Sequence, residues 1–145
     1  MKNNEKGITL VALVITIIVL LILAGVTILA LSGDNGILNR ASQSKVSTEI
    51  ANAKDAFTTV AAEGITEYYN SKYVEGNNTE TATLQKTVYD KITSSSISST
   101  FVNTTSSTSP STIVTNVNDA TGAALTATID TNGKITWTND KMTKN

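Results

Sequence analysis

The 145-residue chain has no histidine, no cysteine and a single proline. Without the first two it can build no Ser-His-Asp or Cys-His nucleophile system, no zinc finger, no haem attachment site and no disulfide framework. It also has no charge of one dominant sign. Eleven basic residues stand against twelve acidic ones, so the electrostatic footprint of a nucleic-acid binder is missing. Gly33 and Gly36 lack the lysine that a phosphate-binding loop needs. Asp34 with Asn35, and Asp130 with Asn132, lack the further acidic ligands of a calcium loop and read as cap and turn residues. No enzyme, metal or cofactor is therefore expected. What the chain does have is 40% hydrophobic residues, distributed very unevenly.

From Ile8 to Leu31 run 24 residues without a charge, a side-chain amide or a proline. The only polar side chains are Thr9, Thr16 and Thr27. A threonine hydroxyl can bond back to a carbonyl one turn earlier and so costs little within lipid. As a helix the run spans roughly 36 Å, enough to cross a hydrocarbon core of about 30 Å. A buried core helix would need a protein shell that the remaining residues are too few to build. A removed secretory signal has a passable cleavage site at Ala30-Leu31-Ser32, but its apolar region is usually only ~7–15 residues. The favoured reading is a retained membrane helix. Lys2 and Lys6 against Glu5 place the N-terminus in the cytoplasm by the positive-inside rule. The remainder, 33–145, carries 9 basic and 11 acidic residues and nothing that resists export.

Lys6-Gly7-Ile8-Thr9-Leu10-Val11-Ala12-Leu13 is a short charged leader ending in Lys-Gly, followed by a Thr-Leu pair and an unbroken apolar helix. It resembles the prepilin leader of type IV pilins and of the related pseudopilins of type II secretion and competence systems. The downstream stretches Ala24-Gly25-Val26-Thr27 and Gly33-Asp34-Asn35-Gly36-Ile37-Leu38 resemble Gram-positive, clostridia-like members. The resemblance covers about the first 40 residues. It implies that a membrane-embedded aspartyl peptidase cuts between Gly7 and Ile8 and N-methylates Ile8, with Lys6, Gly7, Thr9 and Leu10 as recognition residues. It implies three segments: a leader (1–7), a transmembrane and filament-core helix (8–31) and an extracytoplasmic pilin-like domain (32–145). Two positions depart from the family pattern. The first mature residue is Ile8 in place of the usual phenylalanine, and the fifth is Ala12 in place of a glutamate. In the family that carboxylate neutralises the terminal amine of a neighbouring subunit. With Ala12 the amine must meet the Thr9 hydroxyl, a backbone carbonyl or a partner.

Beyond the span, Ser32-Gly33-Asp34-Asn35-Gly36 is a breaker cluster, with glycines able to take positive φ and Asp34 or Asn35 able to cap. It reads as a membrane-exit turn or as a flexible joint. Val46, Ile50, Ala53, Phe57 and Val60 then form one apolar stripe on a helix from about Ile37 to Glu63, with Lys45, Glu49, Lys54 and Asp55 on a solvated face. Gly64 is expected to end or kink this helix, and Tyr68, Tyr69 and Tyr73 to cover the side of the domain with wet hydroxyls. Leu84, Val88 and Ile92 predict a second helix from about Glu80, with Asn77 or Asn78 near its start. Fifteen of the 20 residues from Thr93 to Thr112 are Ser or Thr, a composition that packs poorly. Ile97, Phe101 and Val102 are expected in one irregular strand there.

The C-terminal region can be read in register. Asp130-Thr131-Asn132-Gly133-Lys134 fits a three-residue hairpin loop with Gly133 in the left-handed conformation. That sets Ile129 opposite Ile135 and Ala127 opposite Trp137, whereas a two-residue turn would split the apolar residues between faces. Asp119-Ala120-Thr121-Gly122-Ala123 repeats the pattern and sets Val117 opposite Leu125 and Ile113 opposite Ile129. A three-stranded antiparallel meander follows, over about 112–118, 124–130 and 134–139. One face is apolar (Ile113, Val117, Leu125, Ile129, Ile135, Trp137) and requires a cover, which the helical stripe supplies. The expected fold is α+β: a long N-terminal hydrophobic helix continuing into an amphipathic helix packed on a small C-terminal β-meander, the pilin-like architecture that the leader implies.

The expectation is a structural subunit of a type IV pilus or pseudopilus-like filament at the cell surface. Its partners would be copies of itself or other pilins, the prepilin peptidase, and the lipid bilayer before assembly. The alternative is a membrane-anchored or signal-peptide-secreted surface module that does not polymerise.

Overall fold

A computed structural model of the chain describes residues 4–33, 36–74, 83–105 and 111–143. The fold is α+β, and the chain divides into two compact units, Met1–Ser42 and Gln43–Asn145. The first unit contains helix α1 (Asn4–Ser32) and the start of α2 (Ile37–Tyr73). In α1 the hydroxyls of Thr16 and Thr27 donate to the carbonyls of Leu13 (2.8 Å) and Leu23 (2.7 Å). Each polar side chain so bonded is satisfied within its own helix. The Val and Ile residues that weaken a helix in water are tolerated where no water competes for the backbone.

The second unit is built on most of α2. Ile50, Ala53, Phe57 and Val60 are buried on one face, as their spacing predicts, and Val46 packs at the margin. The helix does not stop at Gly64; it runs on to Tyr73. A Cβ at position 64 would lie 3.1 Å from Val88 Cα and 3.2 Å from Lys91 Cβ. Gly64 is thus a close-approach point for α3 (Leu84–Ser94), and the packing gained there outweighs the helix-propensity loss of about 1 kcal/mol. Helix α3 begins at Leu84, later than expected. Its cap is the Thr83 hydroxyl, which accepts from Lys86 N–H at 3.2 Å; Asn77, Asn78 and Glu80 lie outside the described residues.

The Ser/Thr-rich stretch is more ordered than its composition predicts over 93–105. Ile97–Phe101 forms a short helix, α4, and Val102–Thr105 a strand, β1, in place of one irregular strand. Serine hydroxyls back-bond to carbonyls at the turn: Ser95 to Ile92 (2.7 Å) and Ser99 to Ser96 (3.0 Å). Small polar residues of this kind favour tight turns over strands. Ile97, Phe101 and Val102 pack on the core. Asn116 Nδ2 donates to Thr100 O at 2.6 Å, tying α4 to the sheet. Residues 106–110 of the stretch lie outside the described residues.

The sheet has four antiparallel strands, β1, β2 (Thr112–Asn118), β3 (Ala124–Ile129) and β4 (Ile135–Thr138), in sequential order. The β3–β4 register is the predicted one, with Ile129 opposite Ile135 and Ala127 opposite Trp137. Between β2 and β3 the prediction holds only beside the turn. Asn118 pairs with Ala124, but Ile113 pairs with Ala127 and not with Ile129. The ladder shifts by two residues between Val114 and Asn118. Thr115 is fully buried at this irregularity, and its hydroxyl accepts from Val117 N–H (3.2 Å) and donates to Val117 O (3.3 Å). A backbone group that loses its ladder partner at a bulge is satisfied locally in this way. An even shift keeps every side chain on its face, so Ile113, Val117, Leu125 and Ile129 remain buried. Phe57 meets Trp137 edge-on at 5.3 Å.

The β2–β3 and β3–β4 turns are each clasped by an aspartate. Gly122 and Gly133 have φ of 87° and 78°. Asp130 Oδ1 accepts from the N–H groups of Asn132 and Lys134, each at 2.8 Å. Asp119 Oδ1 accepts from Thr121 N–H (2.8 Å), Thr121 Oγ1 (2.6 Å) and Ala123 N–H (3.0 Å). Asp119 is buried, and its Oδ2 makes no hydrogen bond of ordinary geometry. Lys54, expected on the solvated face, instead pairs with Asp140 at 2.8 Å and lies 5.9 Å from the Trp137 ring centre. It ties α2 to the segment after β4.

Two predictions follow from this packing. Gly64→Leu forces α2 and α3 apart and should destabilise the fold by about 1–3 kcal/mol, the usual cost of overpacking, read by chemical denaturation in detergent. The second concerns acid. The Asp119 carboxyl is held below the usual range chiefly by the Thr121 hydroxyl; the N–H groups of Ala123, Thr121 and Lys141 add to this, and burial opposes it. Asp140 is held low by Lys54, again against burial. A carboxyl depressed in the folded state stabilises the fold above its unfolded value of about 3.9, and that contribution is lost as the pH falls through the folded value. The thermal midpoint of the wild type should therefore drop as the pH is lowered below about 4. Asp119→Asn should start lower at neutral pH and decline less steeply, measured by circular dichroism.

Candidate functional site

The feature that sets this chain apart is the surface of α1. It offers a helix long and apolar enough, by length and composition, to cross a membrane, and none of its apolar window is buried within the structure. The large side chains stand in the open along its whole length, from Ile8 (68% exposed) to Leu29 (75%). An apolar surface of this extent marks an interaction surface. No ionisable side chain lies between Gly7 and Leu31, so the rod presents only hydrocarbon and three hydroxyl-bearing side chains to its surroundings.

The expected leader junction lies within α1. Gly7, Ile8, Thr9 and Leu10 are helical and exposed. Lys6 belongs to the same helix by its backbone, and its side chain lies outside the described residues. Around Gly7 a Cβ would meet nothing within 4 Å, so packing does not explain this glycine. Its effect on the backbone is direct, because glycine within a helix costs about 1 kcal/mol relative to alanine. Gly7 therefore lowers the helix propensity of the first turns of α1 without contributing any packing. Ala12 lies one turn further on, also exposed.

At the other end of the rod, Gly33 and Gly36 do not use positive φ; the described glycines that do are Gly122 and Gly133. Gly36 is required for space. A Cβ there would lie 2.5 Å from Leu31 O and 2.8 Å from Gly33 O. The turn closes through Gly36 N–H donating to Gly33 O (2.7 Å), and Arg40 N–H donates to Gly36 O (3.1 Å) to start α2. The two glycines of the expected joint thus meet in a tight turn, while Asp34 and Asn35 lie outside the described residues.

In the second unit, Tyr68, Tyr69 and Tyr73 gather at the end of α2. Tyr69 and Tyr73 stack at 5.9 Å, and Lys72 lies 5.6 Å from the ring centres of both Tyr68 and Tyr73. A hydrogen bond with Tyr68 raises the Lys72 pKa. Lys91 pairs with Glu67 at 2.9 Å across α2 and α3, and that bond raises its pKa. The tyrosines are expected as side cover, and the cation among them is signalled in the sequence only by the i,i+4 spacing of Tyr68 and Lys72. Among the described residues no group of three or more Asp or Glu side chains is placed to hold a metal ion.

Compared with known proteins, the chain matches no protein-family model, no curated protein and no solved structure.

The length of the apolar run makes a quantitative prediction. Its 17 Leu, Ile and Val residues contribute roughly −5 to −10 kcal/mol to membrane insertion, against about +3 for each central lysine. A single Val19→Lys substitution should leave the protein in the carbonate-resistant membrane fraction. The triple variant Ile15→Lys, Val19→Lys, Ile22→Lys should not be retained there.

Proposed function

We propose that this chain is a structural subunit of a type IV pilus or pseudopilus-like filament. In this reading a prepilin peptidase cuts after Gly7 and methylates the amine of Ile8. The rod then leaves lipid to pack among the rods of sister subunits, and the second unit faces outward. The observation that carries the reading is the junction itself: Lys6-Gly7 followed at once by 24 uncharged residues that form an exposed apolar helix. An amphipathic helix covering a small antiparallel sheet, reached from the residues without reference to the leader, adds to it. Filament cohesion needs no chemistry here. Apolar side chains exchange lipid neighbours for helix neighbours, and close packing supplies the difference.

Ala12 supports a second reading, a membrane-anchored surface module that does not polymerise. A terminal amine placed at that depth has no carboxylate in its own rod, and an unpaired charge there is costly.

Mass spectrometry of the N-terminal peptide from native cells separates the two. A methylated Ile8 is expected. An intact Met1 supports the anchored module, and a start at Gly33 means that the rod was a signal peptide. Gly7→Leu should leave the precursor uncut and confined to the membrane; normal maturation of that variant would overturn the peptidase reading.

A further inference from the structure

The β3–β4 loop holds an Asn-Gly pair in which Asn132 is exposed and Gly133 is buried. Such a pair is prone to intramolecular cyclisation, because glycine carries no side chain to shield its nitrogen. The Gly133 amide nitrogen loses its proton to solvent and attacks Asn132 Cγ. A C–N bond forms, the side-chain amide leaves as ammonia, and water opens the succinimide to aspartate or isoaspartate. Water is the only co-reactant.

The loop opposes the first step. Gly133 N–H donates to Asp130 O at 3.0 Å, so the proton that must leave is engaged. Asp130 Oδ1 takes the N–H groups on either side of Gly133, those of Asn132 and Lys134, at 2.8 Å each. The loop therefore cannot turn about Gly133 without breaking three bonds. Gly133 is also buried, and a Cβ there would sit 3.2 Å from Ile65 and 3.4 Å from Leu84. We propose that Asn132 is a modification site, a deamidation site kept latent by the Asp130 clasp and by the seating of the loop on α2 and α3. Once formed, isoaspartate adds a backbone carbon to a three-residue loop and a carboxylate beside Asp130. Neither fits the closed turn, so the change is a one-way mark on any molecule whose hairpin has opened. The inference is independent of the filament reading.

The test is incubation of the full-length protein in detergent micelles at mildly alkaline pH, with peptide mapping of the conversion at Asn132. The folded wild type should convert about tenfold more slowly than the same chain unfolded in urea, as expected for a reaction that waits on local opening. Asp130→Ala, shown to be folded by circular dichroism, should move most of the way to the unfolded rate. Asp130→Asn keeps a carbonyl oxygen as acceptor and should stay near wild type. Equal rates for folded and unfolded wild type, a comparison that needs no variant, would overturn the proposal. So would a folded Asp130→Ala protein converting at the wild-type rate.

Discussion

The interaction on which everything else depends is the one between the α1 surface and water, which is unfavourable along its entire length. A stretch of 24 residues with no charge is long and apolar enough to cross a membrane. An environment without water leaves the backbone to bond with itself, and so favours helix over a sequence whose Val and Ile content would disfavour it in solution. Thr16 and Thr27 obey the same constraint by bonding to carbonyls of their own helix.

The second unit solves a different problem by the same accounting of polar groups. Its sheet is small and its core modest, and a domain of this size gains little from each buried residue beyond about 1.5–3 kcal/mol. The unit relies on local closure. Two aspartates each satisfy the N–H groups of a tight turn, a buried threonine satisfies the bulge, and serines satisfy the ends of the short helices. Lys54 and Asp140 hold the segment after β4 against α2. The result is a sheet whose connections are fixed by side chains and whose apolar face is covered by Ile50, Phe57, Val88 and Ile92.

Much of this is legible in the amino-acid sequence. The α2 stripe, the loop at Asp130, the left-handed Gly133 and the β3–β4 register followed from period, turn chemistry and the requirement that apolar residues share a face. The candidate site was legible in a narrower sense. The rod and the Lys6-Gly7 junction stand out as sequence because they are contiguous. The Lys72–tyrosine cluster and the Lys54–Asp140 tie do not, since the first depends on the helix continuing past Gly64 and the second joins residues 86 apart in the chain.

The sequence by itself determined the apolar rod, the class of each main element and which face of the sheet would be buried. These depend on the chemistry of near neighbours and on a fixed repeat. Tertiary structure alone decided that α2 passes through Gly64, that Ile97–Phe101 is a helix, and that β2 slips by two residues against β3. In each case two local conformations lie within about 1 kcal/mol of each other. The choice was made by a distant partner: α3 against Gly64, the core beneath Phe101, and β3 against the slipped β2.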